Sequence, residues 1–79
     1  MPTLLVLGPY TFRFRSVDCL EREHVHVTGA RGSAKVWLGR VQLARSRGYD
    51  PHQLSRIAEI VVAHEAEWLE AWKKRCRDR

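Results

Sequence analysis

The first 38 residues alternate between apolar and polar positions with the period of a β-strand. Residues 3–7 are a short apolar run, and residues 10–15 then alternate aromatic with polar side chains. Successive side chains of a strand point to opposite faces, so the aromatic rings share one face while Arg13 and Arg15 share the other. The two segments predict a β-hairpin that turns at the Gly-Pro pair between them.

A second predicted hairpin carries two histidines on one strand. His24 and His26 alternate with valines, and a loop at 29–32 leads into another alternating run. If four loop residues join the strands, His26 opposes Lys35. His24 then opposes Trp37. Opposed residues lie on the same face of a sheet, so this register places the valines in the core and these four side chains together on the outer surface. A slip of one residue would bury the histidines at a high desolvation cost.

Residues 40–48 are predicted to form a short helix. Val41 and Ala44 lie three residues apart, and two arginines fall late in the segment. Gly48 follows them and can adopt the left-handed conformation of a helix C-cap.

The clearest boundary in the chain is the start of a long helix over 51–76. Asp50 is a suitable N-cap, a proline follows at the first helical position, and Gln53 completes a capping box. Apolar residues then follow amphipathic spacing as far as Trp68 and Trp72. About 25 residues at 1.5 Å each make a helix of about 38 Å, longer than a small sheet needs as cover. We therefore expect its far end to overhang the sheet or to meet another protein. Trp68 and Trp72 are candidates for a partner interface, with packing of the helix as the alternative.

Together these elements predict one α+β domain over residues 1–79. A four-stranded, mostly antiparallel sheet of two β-hairpins occupies 1–38, and the short helix and the long amphipathic helix follow it. A domain of this length buries only ~60% of the surface of its unfolded chain, so the core is expected to be small.

The net charge of +5 is concentrated at the two ends of the sequence. Residues 1–40 and 73–79 are basic, whereas residues 41–72 carry more acidic than basic groups. Such a charge attracts polyanions, but it does not distinguish RNA, DNA and an acidic protein. It predicts salt-dependent binding without identifying the partner.

Two cysteines and the N-terminal residues give information on the cellular compartment of the protein. Cys19 and Cys76 are far apart and form no C-x-x-C pair, so neither a disulfide framework nor a zinc ribbon is indicated, and we expect free thiols. The first residues lack a basic start, and their apolar run is too short for a signal peptide or a membrane span. We therefore expect a cytoplasmic protein.

The histidine strand is the main candidate for chemistry. Histidine titrates near neutrality, so His24 and His26 could act as the base and the acid in a metal-independent cleavage of RNA. Lys35 would then stabilise the charge that develops on the phosphate. These three are the candidate catalytic residues.

Nucleic-acid contacts are predicted around the same surface. Arg13 and Arg15 could bind phosphate, and Trp37 could stack on a base.

Two other interpretations of the histidines stay open. A metal ion needs three or four ligands, and the residues that could join the pair have no recognisable spacing, so we expect no metal and no other cofactor. Alternatively, the histidines are structural or interfacial and hydrogen-bond to the preceding loop, which contains Glu21 and Glu23, or to a partner.

The order of several segments resembles a known family. These segments are Met1-Pro2-Thr3, Gly8-Pro9-Tyr10, His24-Val25-His26-Val27, Ala34-Lys35-Val36-Trp37-Leu38, Leu43-Ala44-Arg45-Ser46-Arg47-Gly48 and Leu69-Glu70-Ala71-Trp72. Over nearly the whole chain they are similar to the small prokaryotic domain-of-unknown-function family numbered 4160. The family's usual Glu-Pro-Pro before His-Val-His is replaced here by Glu21-Arg22-Glu23, and its Asp-Pro before the short helix is replaced by Gly39-Arg40.

The resemblance implies a function and a partner. Members of this family are often encoded beside another small domain of unknown function, numbered 2442, and the two are treated as a toxin–antitoxin pair. We therefore expect a component of a type II toxin–antitoxin system. It could be a ribonuclease toxin that uses the His-x-His strand, or a non-catalytic subunit that binds nucleic acid or protein. In either case it could form a homo-oligomer or a heterocomplex.

Overall fold

The computed structural model describes residues 3–15 and 18–77, so the Met1-Pro2 part of the resemblance lies outside it. Its elements, in chain order, are strands β1 (Thr3–Leu7) and β2 (Tyr10–Arg13), a 3-10 turn (Asp18–Leu20), strands β3 (His24–Gly29), β4 (Gly32–Trp37) and β5 (Gln42–Arg47), and helix α1 (Pro51–Arg77). The class is α+β, as the sequence predicts.

The predicted four-stranded sheet is wrong by one strand, because five strands form one antiparallel sheet in the order β1-β2-β3-β4-β5. The predicted register of the histidine hairpin is confirmed, since His24 pairs with Trp37 and His26 pairs with Lys35. Gly29 has a φ of 121°, and an added Cβ would overlap the Pro9 carbonyl oxygen, so this end of β3 requires glycine.

The short helix predicted over 40–48 is wrong, because residues 42–47 form β5. This strand pairs with β4, and all six of its residues are exposed. An edge strand with no buried side chain has no hydrophobic pattern of its own, so only its partner strand reveals it. Gly48 does have a positive φ of 82°, but it follows a strand rather than a helix.

Helix α1 begins with the predicted cap and covers one face of the sheet. The Asp50 carboxylate accepts a hydrogen bond from the Gln53 backbone N–H (2.8 Å), and the Gln53 side-chain oxygen accepts one from the Asp50 N–H (2.9 Å). Buried residues of the helix and of the inner sheet face make one core. Its members are Tyr10, Phe12, Phe14, Val25, Val27, Ala34, Val36, Leu38, Ile57, Ile60, Val61, Trp68 and Trp72.

The far end of the helix stays on the sheet instead of overhanging it. Trp68 packs on Phe12 with ring centroids 5.4 Å apart, and Trp72 packs edge-on against Phe14 at 5.2 Å. These contacts with large phenylalanine rings keep the C-terminal part of α1 packed on the sheet, so the length of the helix alone does not predict an overhang.

Cys19 and Cys76 form a disulfide, so the expectation of free thiols is wrong. The two residues are 57 positions apart, but α1 runs back along the sheet and brings their Cα atoms within 5.6 Å. The linkage joins the 3-10 turn to the end of the helix. In the described ranges, no helix is long and apolar enough to cross a membrane.

Candidate nucleic-acid interface

The sheet face opposite α1 carries a row of basic side chains. Arg13 pairs with His26, His26 with Lys35, and Lys35 with Arg45, so one basic residue from each of four strands lies on the same line. In the neighbouring cross-strand row on this face, Ser33 of β4 pairs with Arg47 of β5. The alternation of the strands places these residues away from the apolar core.

A cleft of about 300 Å³ lies on this face. Its lining contains Arg15, His26, Val27, Ser33, Ala34, Lys35, Arg45, Ser46 and Arg47. Four of these residues are arginine or lysine, and no described acidic residue is among them. Arg45 and Arg47 are exposed, and neither forms an ion pair with a described residue. The cleft is therefore suited to an anion.

The two histidines are buried and hydrogen-bonded to each other. His24 is 1% exposed and His26 is 6% exposed, and their Nε2 atoms lie 3.2 Å apart. The Nδ1 of His24 lies 2.6 Å from the carbonyl oxygen of Arg22. Because a carbonyl oxygen only accepts, His24 carries its proton on Nδ1. In a neutral pair, the Nε2 of His24 then accepts the Nε2–H of His26.

This geometry gives the two histidines different positions. Both ring nitrogens of His24 are occupied within the chain, and Trp72 packs on the ring at 5.2 Å. His26 is the one that lines the cleft. Of the pair, only His26 is placed to meet a bound molecule, and His24 holds it in position.

Lys35 is paired instead of free to serve a substrate. Its ammonium donates to the carboxylate of Glu21 in a short contact, and it lies 4.7 Å from the centre of the Trp37 ring. The pair is unequally buried, since the Lys35 side chain is 11% exposed and that of Glu21 is 54% exposed. Glu21 thus offsets one positive charge at the wall of the cleft.

Trp37 is surrounded on several sides. The Arg22 guanidinium lies 5.3 Å from the ring centre, and the His24 ring meets it edge-on at 5.6 Å. Arg22 also donates to the carbonyl oxygens of Leu38 (3.2 Å) and Arg40 (3.3 Å). Arg22 therefore ties the residues before β3 to the turn between β4 and β5.

The remaining predicted residues occupy different surroundings. Arg13 is half-buried, and its Nε atom is buried without a hydrogen-bond partner among the described residues. Arg15 lines the cleft, and its backbone carbonyl accepts a hydrogen bond from Arg75 (3.3 Å). Trp68 and Trp72 are 1% and 6% exposed, so within this chain they belong to the core and do not form an open surface for a partner.

The described residues include no group of three or more His, Cys, Asp or Glu side chains arranged to hold a metal ion. The Cys19 sulfur is bonded to Cys76 in the disulfide.

Sequence reasoning missed the β5 side of the cleft. The helix predicted over 40–48 includes Arg45 and Arg47, which instead lie on β5 and line the cleft. The period-two spacing of Leu43, Arg45 and Arg47 indicates a strand, but the three-residue spacing of Val41 and Ala44 fits a helix equally well.

Comparison with protein families shows where the chain belongs. The family model described as "Domain of unknown function (DUF4160)" matches residues 10–73, which include the whole of β2 to β5 and most of α1. The chain is therefore a member of the DUF4160 family. Searches of the curated proteins and of the solved structures found no match.

Proposed function

We propose that this protein binds the phosphate backbone of a nucleic acid in its basic cleft, as one component of a type II toxin–antitoxin pair. The observation that carries the proposal is the alignment of basic side chains from four strands on one face, with two arginines at its edge that form no ion pair with a described residue. Lysine and arginine that replace counterions on phosphates supply most of the affinity of non-specific nucleic-acid binding.

The lining of the cleft favours contacts to phosphate over contacts to bases. It contains no described Phe, Tyr or Trp side chain, and Trp37 is already in contact with Arg22, Lys35 and His24. Base stacking needs an accessible ring face, whereas phosphate binding needs only positive charge and donors. We therefore expect affinity with little dependence on base sequence.

The test is a salt titration of binding, measured by fluorescence anisotropy with a labelled RNA duplex and a DNA duplex. If the three arginines of the cleft, Arg15, Arg45 and Arg47, each neutralise one phosphate, the log–log slope against salt is about −2 to −3. Arg45→Ala and Arg47→Ala should each reduce that slope by about 1 and weaken binding several-fold at low salt.

Arg56→Ala is the matched control, because Arg56 is an exposed arginine on α1, away from the cleft. It makes the same change in net charge and should leave the slope nearly unchanged. If all three variants weaken binding equally, the attraction is a property of the net charge and the cleft is not the site.

A ribonuclease activity is the second candidate, and the position of His26 favours it. His26 lines the cleft, and its Nε2 is held by His24, which in turn is oriented by the Arg22 carbonyl. In this version His26 alone exchanges the proton, and His24 is a positioning residue. That differs from a scheme in which the two histidines share the acid and base roles.

His26→Gln separates cleavage from binding. Glutamine keeps an N–H donor for His24 but cannot act as an acid or base near neutrality. If the protein is a ribonuclease, this variant should bind RNA as before and produce no fragments. If the parent protein leaves RNA intact during a long incubation while a stable complex forms, the protein binds without cleaving.

The partner in this proposal is a small protein of the family numbered 2442. Growth after induction, with and without the partner gene, identifies which of the two is toxic. Equal growth in every combination would contradict the toxin–antitoxin part of the proposal while leaving nucleic-acid binding to the anisotropy test.

A further inference from the structure

A second cavity lies beside the basic cleft, at the turn between β3 and β4. Its volume is about 450 Å³, and two of its lining residues, Ser33 and Arg47, also line the cleft, so the two cavities adjoin. The turn itself contributes Arg31, which does not line the cleft. The complete lining is Gly29, Arg31, Gly32, Ser33 and Arg47.

The backbone of this turn is in an uncommon conformation. Gly29 pairs with Gly32, so Ala30 and Arg31 are the two central residues of the turn. Their φ values of 51° and 63° are positive, as a type I′ hairpin turn requires, although neither residue is glycine, asparagine or aspartate. Such a conformation persists only where the surrounding structure holds it.

The segment that follows β5 holds the turn in place. The Tyr49 hydroxyl donates to the Gly29 carbonyl oxygen (2.9 Å). Gly48 approaches the turn so closely that an added Cβ would lie 2.6 Å from the Arg31 carbonyl oxygen. Since Arg47 directly precedes these two residues, the contacts also fix the backbone of Arg31 relative to that of Arg47.

The two arginines of this cavity have no counterion within the described part of the chain. Arg31 and Arg47 are exposed, and neither forms an ion pair with a described residue. No described acidic residue lines either cavity. A guanidinium group binds phosphate oxygens through two N–H donors, and the Ser33 hydroxyl is a further donor at the boundary of the two cavities.

We propose that Arg31, Arg47 and Ser33 form a second phosphate subsite, so that the bound nucleic acid runs along β5 and past the β3–β4 turn. Arg45 and Arg47 are two residues apart on one strand, a distance of about 6.7 Å. Arg31 lies beyond the last paired row, in which Ser33 faces Arg47. The nature of the ligand rests on the proposed function, whereas the phosphate subsite can be tested separately.

Arg31→Ala tests the subsite in the anisotropy titration. With Arg31 as an additional phosphate contact, the salt slope of the parent is steeper by about 0.9 than the cleft arginines alone produce. The variant should lose that increment and bind several-fold more weakly at low salt. Arg31→Lys keeps the charge and should retain the slope. Circular dichroism should show that both variants are folded.

Arg40→Ala is the matched control. Arg40 is an exposed arginine in the turn at the opposite end of β4, so the variant makes the same change in net charge in a comparable element. It should keep the slope of the parent. The proposed subsite is overturned if Arg31→Ala keeps the slope of the parent, or if both alanine variants reduce it equally.

Inorganic pyrophosphate distinguishes failure of the subsite from failure of the proposed function. Titrated into the isotopically labelled protein, it should shift the amide signals of residues 31–33 and of Arg47, and Arg31→Ala should abolish the shifts at the turn. These shifts in a protein that binds no nucleic acid would support the subsite and refute the proposed function. Shifts confined to His26, Lys35 and Arg45 would refute the subsite and leave the cleft as the anion site.

Discussion

At the scale of single residues, the two histidines have different roles, because His26 lines the cleft and His24 positions it. His24 is fixed by the Arg22 carbonyl and packs between aromatic rings, and it holds His26 at the wall of the cleft. The sequence predicted that these two residues share a face with Lys35 and Trp37, and the pairing confirms it. Their burial was not predictable, because the turn that carries Glu21 and Arg22 has no periodicity to show where it packs.

The charge of the cleft should be adjustable at Glu21. This carboxylate is paired with Lys35, so Glu21→Gln leaves the ammonium uncompensated at the cleft wall. We expect nucleic-acid binding to become about 2- to 5-fold tighter at low salt, because one more cation is available to phosphate. Anisotropy titrations measure the change.

Glu59→Gln is the control for that experiment. Glu59 is an exposed carboxylate on α1 and lies 3.8 Å from Arg56. Both variants add the same net charge, so equal effects would show that Lys35 is not involved.

At the scale of elements, alternation predicted the strands that have a buried face and failed for the one that has none. β3 and β4 have valines and small residues on one side and polar residues on the other, so a register shift carries a clear cost. The cap of α1 was also predictable, because the side chains of Asp50 and Gln53 each accept a hydrogen bond from the backbone N–H of the other residue. β5 depends on β4 for its hydrogen bonds and has no such local signal.

Tyr49 links the segment after β5 to the end of β3, and it should make stability depend on pH. Its hydroxyl donates to the Gly29 carbonyl (2.9 Å), and burial, with Tyr10 nearby, raises the pKa of Tyr49 from its ordinary value of 10.0. The unfolded chain therefore ionises first. The stabilisation is complete below about pH 10 and is lost as pH rises through the higher pKa of the folded state.

Tyr49→Phe isolates this effect. The variant should lose about 1 kcal/mol at neutral pH with the hydrogen bond, and its free energy of unfolding should fall less than that of the parent above pH 10. Urea unfolding at several pH values provides the measurement. Parallel curves for parent and variant across pH 9 to about 11 would exclude this role of Tyr49.

At the scale of the whole molecule, α1 and the disulfide close the fold. The helix packs along the sheet, and Cys76 near its end is bonded to Cys19 beside the Glu21 turn. No sequence spacing indicates a bond between residues 57 positions apart, because the contact depends on where the last turns of α1 pack. The sequence does not decide the surroundings of the tryptophans for the same reason, because a large apolar residue on a helix packs equally well in a core or in an interface until the facing surface is known.

Loss of the disulfide should lower global stability. Without the disulfide, the unfolded chain gains conformational entropy. A disulfide typically contributes about 2–4 kcal/mol to the free energy of unfolding. Reduction with dithiothreitol, or Cys19→Ser with Cys76→Ser, should lower the free energy of unfolding by that amount. The double variant should not respond to dithiothreitol, and an unchanged unfolding midpoint for the reduced parent would contradict the prediction.

The central claim is that the sheet face opposite α1 binds nucleic acid. The most direct measurement is the change in backbone amide chemical shifts when an RNA duplex is titrated into the isotopically labelled protein. We predict that the largest changes fall in β3, β4 and β5 around His26, Lys35 and Arg45, and that they are reversed by salt. Changes confined to α1 and its basic end, or none at low salt, would contradict it.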